Sequence, residues 1–377
     1  MGSTNALNRR QWLKYSGVAV AGLAYASGTA ATSVSASVRL PKAAGPVRLS
    51  LNENPLGPSP AALQAMRESV TDVCRYPISA SRTLLKTLSE IEGVPSEQVL
   101  IGAGSGEVLE AYGAKMGSKG GEVVTAWPSY RQLVGAMERR GSVVVEVPLN
   151  ARKELDLAAM AAAINPRTQC VYVCNPNNPT GTKVNASELR AFAIEVSQRV
   201  PVFIDEAYLE CSDDFSTDTM VDLVAEGHDV TVSRTFSKIY GMAGQRIGYA
   251  VAPRKTADSL RRMITGGTNL LAMVGAQASL DDVDYLKTAR QRIKAGRDAL
   301  ISVLDELGCR YADPQGNFVF FRSGIPIEEF RPAMREAGVM VGRPFPPYDH
   351  WCRISIGTPQ EMAVAHAALR QVKAKLS

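Results

Sequence analysis

No CxxC pair occurs among the six cysteines of this chain, Cys74, Cys170, Cys174, Cys211, Cys309 and Cys352. Structural and catalytic zinc sites gather Cys and His at short, regular spacing, so the sequence argues against a metal centre, and the thiols are expected free and mostly buried. Long hydrophobic runs are missing too. The mildly apolar stretch from Gly17 to Ala31 is too short and too polar to cross a bilayer of ~30 Å as a stable helix. Charge of one sign is also scarce. The formal net charge is +5, and setting aside the three cations Arg9, Arg10 and Lys14 of an acid-free opening leaves +2, which makes no case for nucleic acid. What remains is a soluble composition, 45% hydrophobic and 21% charged, in 377 residues, enough for two domains with a sizeable core.

One stretch organises the rest, Ser233 to Tyr249, which reads SRTFSKIYGMAGQRIGY. It places Lys238 between the hydroxyls of Ser233, Thr235 and Ser237 and the guanidinium of Arg246, in a loop punctuated by glycine. The apolar run Val230 to Val232 reads as a short buried strand, so Lys238 stands just past a strand end, where α/β proteins bind ligands. A lone loop lysine is ordinarily a solvated charge; the neighbouring segments decide otherwise. Strand and helix patterns alternate through Val143–Val147, Leu157–Ile164, Cys170–Cys174, Ala186–Arg199 and Val202–Ile204. That alternation predicts a mostly parallel sheet covered by helices on both faces, an α/β fold whose loops after the strands carry the chemistry.

Those loops hold distinctive residues. After the strand Gln98–Ile101 comes GAGSGEVLEAYGAKM, where Gly102, Gly104 and Gly106 let the backbone approach an anion and a helix opening near Ser105 aims free N–H groups at it. Glu107 stands where a dinucleotide fingerprint requires its last glycine, so a Rossmann dehydrogenase is a weak reading. The strand Glu122–Thr125 leads to Trp127 and Tyr130, either of which offers an aromatic face. Asn178 sits in NPNNPTGT, which as a bare pattern is a turn. Asp205 ends a buried strand. There it either caps a following helix or meets a cation. Arg353, in RISIGT, is either a buried structural ion pair or a clamp for a ligand carboxylate.

In their order and context these segments resemble fold-type I pyridoxal-phosphate enzymes, especially aminotransferases similar to histidinol-phosphate aminotransferase, over roughly Leu49 to Lys373. The resemblance implies a large domain with a mostly parallel sheet between helices, residues 75–265, a smaller α/β C-terminal domain, residues 266–377, and an N-terminal arm, residues 37–74. It implies pyridoxal 5'-phosphate held as a Schiff base on Lys238, which then moves the substrate's α-proton. Asp205 would pair with the pyridine nitrogen, Tyr208 and Asn178 would meet the phenolic oxygen, and Tyr130 would stack on the ring. Ser105, Gly106, Thr235, Ser237 and Arg246 would cradle the phosphate, joined by Tyr76 from a partner subunit, so a homodimer with shared sites is implied. Arg353 would hold the substrate carboxylate, Asn317 would line the substrate side, and Arg343 would meet the distal group.

The chain departs from that family in two places. No tyrosine lies within residues 37–50, where the family carries a Pro-Tyr segment that grips substrate phosphate, and the loop around Arg343 has Gly342 and the prolines Pro344, Pro346 and Pro347. The expected reaction therefore moves an amino group from an unphosphorylated amino acid to a 2-oxo acid such as 2-oxoglutarate. The alternatives are a true histidinol-phosphate aminotransferase, a decarboxylase or lyase on the same fold, and a non-enzymatic binding protein, which would lack Lys238 or Asp205. Finally, NRRQWLKYSG at residues 8–17 resembles a twin-arginine export signal over residues 1–36, with Val34-Ser35-Ala36 offering cleavage after Ala36. It implies passage through the export machinery in the folded state, to the periplasm or beyond.

Overall fold

The computed structural model describes residues 45–212 and 214–376. The expected signal segment and its cleavage point lie outside the described residues. The strands are β1 Val47–Arg48, β2 Val99–Gly102, β3 Glu122–Trp127, β4 Val143–Pro148, β5 Thr168–Cys174, β6 Val202–Asp205, β7 Val230–Thr235, β8 Gly248–Val251, β9 Phe318–Arg322, β10 Val339–Met340 and β11 Trp351–Ser355. Seven of them form one sheet in the order β2-β8-β7-β6-β5-β3-β4. Its pairs are parallel except those of β8, which runs antiparallel to both β2 and β7.

The central strands are near-continuous apolar or hydroxyl runs because helices cover both faces. All six residues of β7 are buried, as are all four of β6. Val171, Val173, Val202, Ile204, Val230 and Val232 form the middle of one core cluster, and Tyr112, Tyr172 and Phe203 lie in another. Strand β8 falls inside the stretch read as a loop around Arg246. A run of four residues that opens on a glycine is too short to show a strand period, and only pairing with β7 and β2 reveals it.

A second core gathers Leu300, Val303, Leu304, Phe321, Phe330, Val339, Ile354 and Leu369. Here β9 pairs antiparallel with β11, and β1 pairs parallel with β10, Val47 opposite Val339. Leu49 packs in the same cluster, so the arm is tied to the C-terminal part of the chain. The helix Val283–Glu306 joins the two cores, giving Ala289 and Ile293 to the first and Leu300, Val303 and Leu304 to the second. Asp282 caps it by accepting from the Tyr285 amide at 3.1 Å, a contact of about 1 kcal/mol. Strand β10 ends at Met340. Beyond it Pro344, Pro346 and Pro347 have no N–H to give to a ladder, which leaves Arg343 and Phe345 on an irregular loop.

Candidate active site

Beyond the carboxyl ends of β3, β5, β6 and β7 opens a cavity of about 400 Å³. Among its lining residues are Ser105, Gly106, Tyr130, Asn178, Asp205, Tyr208, Thr235, Ser237, Lys238, Arg246, Arg343 and Arg353. Most of the residues expected from sequence therefore meet in one place, although they come from segments up to 248 positions apart in sequence (Ser105 to Arg353). Two do not. Tyr76 is 91% exposed and lies outside the cavity. Asn317 is buried behind the wall, where its Nδ2 donates to the carbonyls of Asn52 and Glu53, each at 3.1 Å. It therefore holds the arm rather than facing the cavity.

At one end of the cavity sits Asp205, 2% exposed. Ser233 Oγ donates to Oδ1 at 2.9 Å, Tyr172 Oη to Oδ2 at 3.3 Å and the Ala207 amide to Oδ1 at 3.3 Å. Burial pushes its pKa up more than these donors, with help from Lys238, bring it down. No ion pair within 4.0 Å involves it among the described residues. The helix-cap reading fails: the next helical turn, Leu209–Cys211, has no side-chain cap. A buried carboxylate short of a cation is the partner that a protonated pyridine nitrogen requires.

Lys238 Nζ donates to the Asn52 carbonyl at 3.1 Å and lies 5.3 Å from the centre of the Tyr208 ring. Burial first, and the charge of Arg353 second, draw its pKa from the ordinary lysine value down to about 8. Near neutral pH a fraction of such an amine, on the order of a tenth at pH 7, is neutral and nucleophilic, far more than for an ordinary lysine. Tyr208 Oη accepts from Asn52 Nδ2 at 3.1 Å and Asn178 Nδ2 at 3.3 Å. With two donors on that oxygen, its own proton is left to donate, and burial raises the pKa of the phenol so that the proton stays.

The opposite end is built for an anion. Gly104 has φ +80°, and a Cβ there would run into the Arg246 guanidinium, so the glycine lets arginine and loop close on each other. Arg246 Nη1 donates to Ser237 Oγ at 3.3 Å and to the Ala243 carbonyl at 2.8 Å. Thr235 and the first residues of the helix Ser105–Met116 line the same end. Arg246 has no acidic partner within 4.0 Å among the described residues. A group with a cationic ring nitrogen at one end and a phosphate at the other complements both ends, so these residues fit pyridoxal phosphate.

Above them lies Arg353, 7% exposed. Nη1 donates to Asn178 Oδ1 at 2.5 Å and Nη2 to the Ser50 carbonyl at 2.7 Å, while Nε has no partner. The structural ion pair that sequence allowed is not there: among the described residues no carboxylate lies within 4.0 Å of it. Burial accordingly draws its pKa down to about 10. Its guanidinium lies 5.1 Å from the centre of the Phe345 ring, and that of Arg343 lies 4.5 Å from the same centre.

Sequence reasoning missed Asn52, the most connected residue of the site. Its backbone is left-handed, φ +54°, and it bonds Tyr208, Lys238, Asn317 and Ser355. The available signal was an asparagine, the residue that best tolerates that conformation after glycine, in a stretch unable to form a helix. Gln132, which accepts from the Tyr130 hydroxyl at 2.9 Å, and Phe345 were also missed.

Comparison with known proteins agrees with this chemistry. Residues 44–369 match the family model described as aminotransferase class I and II. The chain is 37% identical over 332 residues to the histidinol-phosphate aminotransferase of Moorella thermoacetica, covering 87% of this chain and 86% of that protein. It is 40% identical over 306 residues to the aromatic amino acid aminotransferase of Streptomyces avermitilis, covering 80% and 85%. Among solved structures, a putative histidinol-phosphate aminotransferase from Erwinia carotovora superposes with a TM-score of 0.83 at 31% identity, covering 88% of this chain and 96% of that one. The Sinorhizobium meliloti histidinol-phosphate aminotransferase, solved in complex with pyridoxal-5'-phosphate, gives 0.80 at 27% identity, covering 88% and 91%. With Lys238, Asp205 and Arg246 disposed as described, and a match running through nearly all of the described residues, the chain belongs to the class I and II aminotransferases, fold-type I enzymes dependent on pyridoxal phosphate.

Proposed function

We propose that the amino donor is an unphosphorylated amino acid with a largely apolar, flat side chain, and the acceptor a 2-oxo acid such as 2-oxoglutarate. The observation that carries this is Arg353, a buried guanidinium with no acidic partner among the described residues, facing a cavity that Leu51 and Phe345 also line. The bound cofactor supplies an electron sink for the pair left when the α-proton departs. Asp205 would keep the ring nitrogen protonated, Tyr208 would donate to the phenolic oxygen, and Ser105, Ser237 and Arg246 would hold the phosphate. Arg353 fixes the substrate carboxylate, which orients the bonds at the α-carbon. Lys238 Nζ, with its pKa near 8, takes and returns the α-proton. The aromatic donor class is supported by the Streptomyces relative. Transamination of histidinol phosphate is the second reading, supported by the Moorella relative, and weakened by the absence of tyrosine from residues 37–50. A panel comparing kcat/KM for aromatic, aliphatic and acidic amino acids with that for histidinol phosphate decides: preference for a free amino acid is expected, and preference for histidinol phosphate overturns the assignment.

The same reading extends to assembly and location. Tyr76 at 91% exposure, with Val70, Val73 and Ile78 more than half exposed nearby, suits burial against a second copy, so that Tyr76 serves a partner's phosphate site. Mixed Tyr76→Phe and Lys238→Ala subunits should regain activity through one intact site; no recovery contradicts sharing. Export after folding rests on Arg9-Arg10 and the small residues before Ala36, and is tested by fractionating cells expressing Arg9→Lys, Arg10→Lys protein.

A further inference from the structure

Behind the cavity lies a buried ionic cluster that no step above uses. Asp205 lines the cavity and Ser233 donates to its carboxylate from behind; Arg234, the next residue of β7, and Glu206, the residue just past β6, point to the other face of the sheet, as successive residues must. Arg234 Nη2 donates to Glu206 Oε2 at 2.7 Å, and the guanidinium lies 3.6 Å from Glu210 and 3.9 Å from Glu92. Two phenols close the cluster. Tyr240 Oη donates to Glu210 Oε1 at 3.0 Å and Tyr249 Oη to Glu92 Oε1 at 2.5 Å. Glu206 also accepts from the Met220 amide at 2.7 Å and the Thr219 hydroxyl at 3.0 Å.

We propose that this cluster is the positioning device for the catalytic side chains, each of which is anchored to it by a residue one or two places further along the chain. Glu206 follows Asp205 by one residue, Glu210 follows Tyr208 by two, and Tyr240 follows Lys238 by two. Arg234, four residues before Lys238, sits at the centre. The loop that carries Lys238 is therefore held from both sides, by Arg234 before it and Tyr240 after it. The Phe236 ring between them packs on Tyr240 at 4.7 Å and on Tyr249 at 6.1 Å. A network of buried, charge-assisted bonds has few alternative arrangements, so it fixes the separation of Asp205 and Lys238 more tightly than apolar packing does. The inference rests on the reading that Lys238 and Asp205 act on one bound group.

The test uses Tyr240→Phe and Glu210→Gln, singly and together, in the full chain. Tyr240→Phe removes one hydroxyl, so it keeps the test open even if Glu210→Gln fails to fold. Three quantities are read: melting temperature, the pH dependence of amine labelling at Lys238 in cofactor-free protein, and kcat and KM for the best donor. The titratable groups that face Lys238, namely Arg353, Cys211, Glu53, Asp205 and Tyr208, are the same in every variant. The labelling midpoint should move from near 8 toward the ordinary lysine value by about one unit, because a displaced amine is less desolvated. Turnover should fall about tenfold or more with KM within about twofold, since small misplacements act on kcat, and the double variant should lose less than the two singles combined. A lower melting temperature with parental labelling midpoint and kcat means the cluster is only structural and overturns the proposal, as does no change in any readout. If the parent transaminates no donor, the functional reading fails while the labelling midpoint still tests the cluster.

Discussion

Among the described residues three arginines are buried, and two of them, Arg234 and Arg353, are buried differently; the third, Arg297, gives its Nη1 to the Gly316 carbonyl at 2.8 Å and does not line the cavity. Arg234, 1% exposed, lies among three glutamates and keeps its charge firmly: burial works to lower its pKa, but Glu92, Glu206, Tyr249 and Glu210 together outweigh it and hold it well above the ordinary value. Arg353, 7% exposed, has no carboxylate within 4.0 Å among the described residues, and burial draws its pKa down to about 10. A desolvated cation costs several kcal/mol unless it is compensated. The fold compensates the first internally and leaves the second uncompensated in the cavity wall, which is why the first is read as part of the frame and the second is proposed to meet a ligand. Asp205, a buried carboxylate without an ion pair, obeys the same logic with opposite sign.

Removing each group should therefore have different consequences. Arg234→Met leaves three buried glutamates around an apolar chain and should destabilise the fold by about 3–5 kcal/mol, read by urea denaturation. A loss under about 1 kcal/mol would erase the contrast. Lys238 sharpens it through pH. Its folded pKa of about 8 lies below the ordinary 10.5, so between those values the unfolded chain binds the proton better and stability rises with pH. The cofactor-free protein should gain on the order of 3 kcal/mol from this group between pH 8 and 10.5, a slope that Lys238→Met should lack. Equal slopes in the two proteins would place the amine in solvent. Asp205→Asn should keep cofactor content and melting temperature yet lower turnover ~10²-fold or more, about 2.7 kcal/mol of barrier, because an amide holds the ring proton poorly. Near-parental turnover would reduce Asp205 to a structural acceptor.

Much of this was legible in the sequence because the chemistry follows strand ends. Asp205, Asn178 and Lys238 each stand just past a buried apolar run, and periodicity locates such runs well. Other features depend on pairing that no local pattern encodes. Strand β8 exists because β2 and β7 flank it, and β1 because Val339 lies opposite Val47. Asn52 escaped for a related reason: its partners Tyr208, Lys238 and Ser355 are between 156 and 303 positions away. Arg353 could be named but not weighed, since whether a buried arginine is paired is a fact of three dimensions.

Arg353 carries the central claim, and one comparison tests it. Arg353→Met should be assayed with an amino acid donor and with the corresponding amine that lacks the carboxylate. Loss of a charge-assisted contact worth ~1.5–3 kcal/mol should cut kcat/KM for the amino acid by roughly 10- to 150-fold, mostly through KM, while the amine is affected by less than about threefold. Stability should stay within about 1 kcal/mol of the parent, because the side chain removed has no ionic partner to strand. Equal losses on both donors, or destabilisation like that expected of Arg234→Met, would contradict the assignment of Arg353 to the substrate.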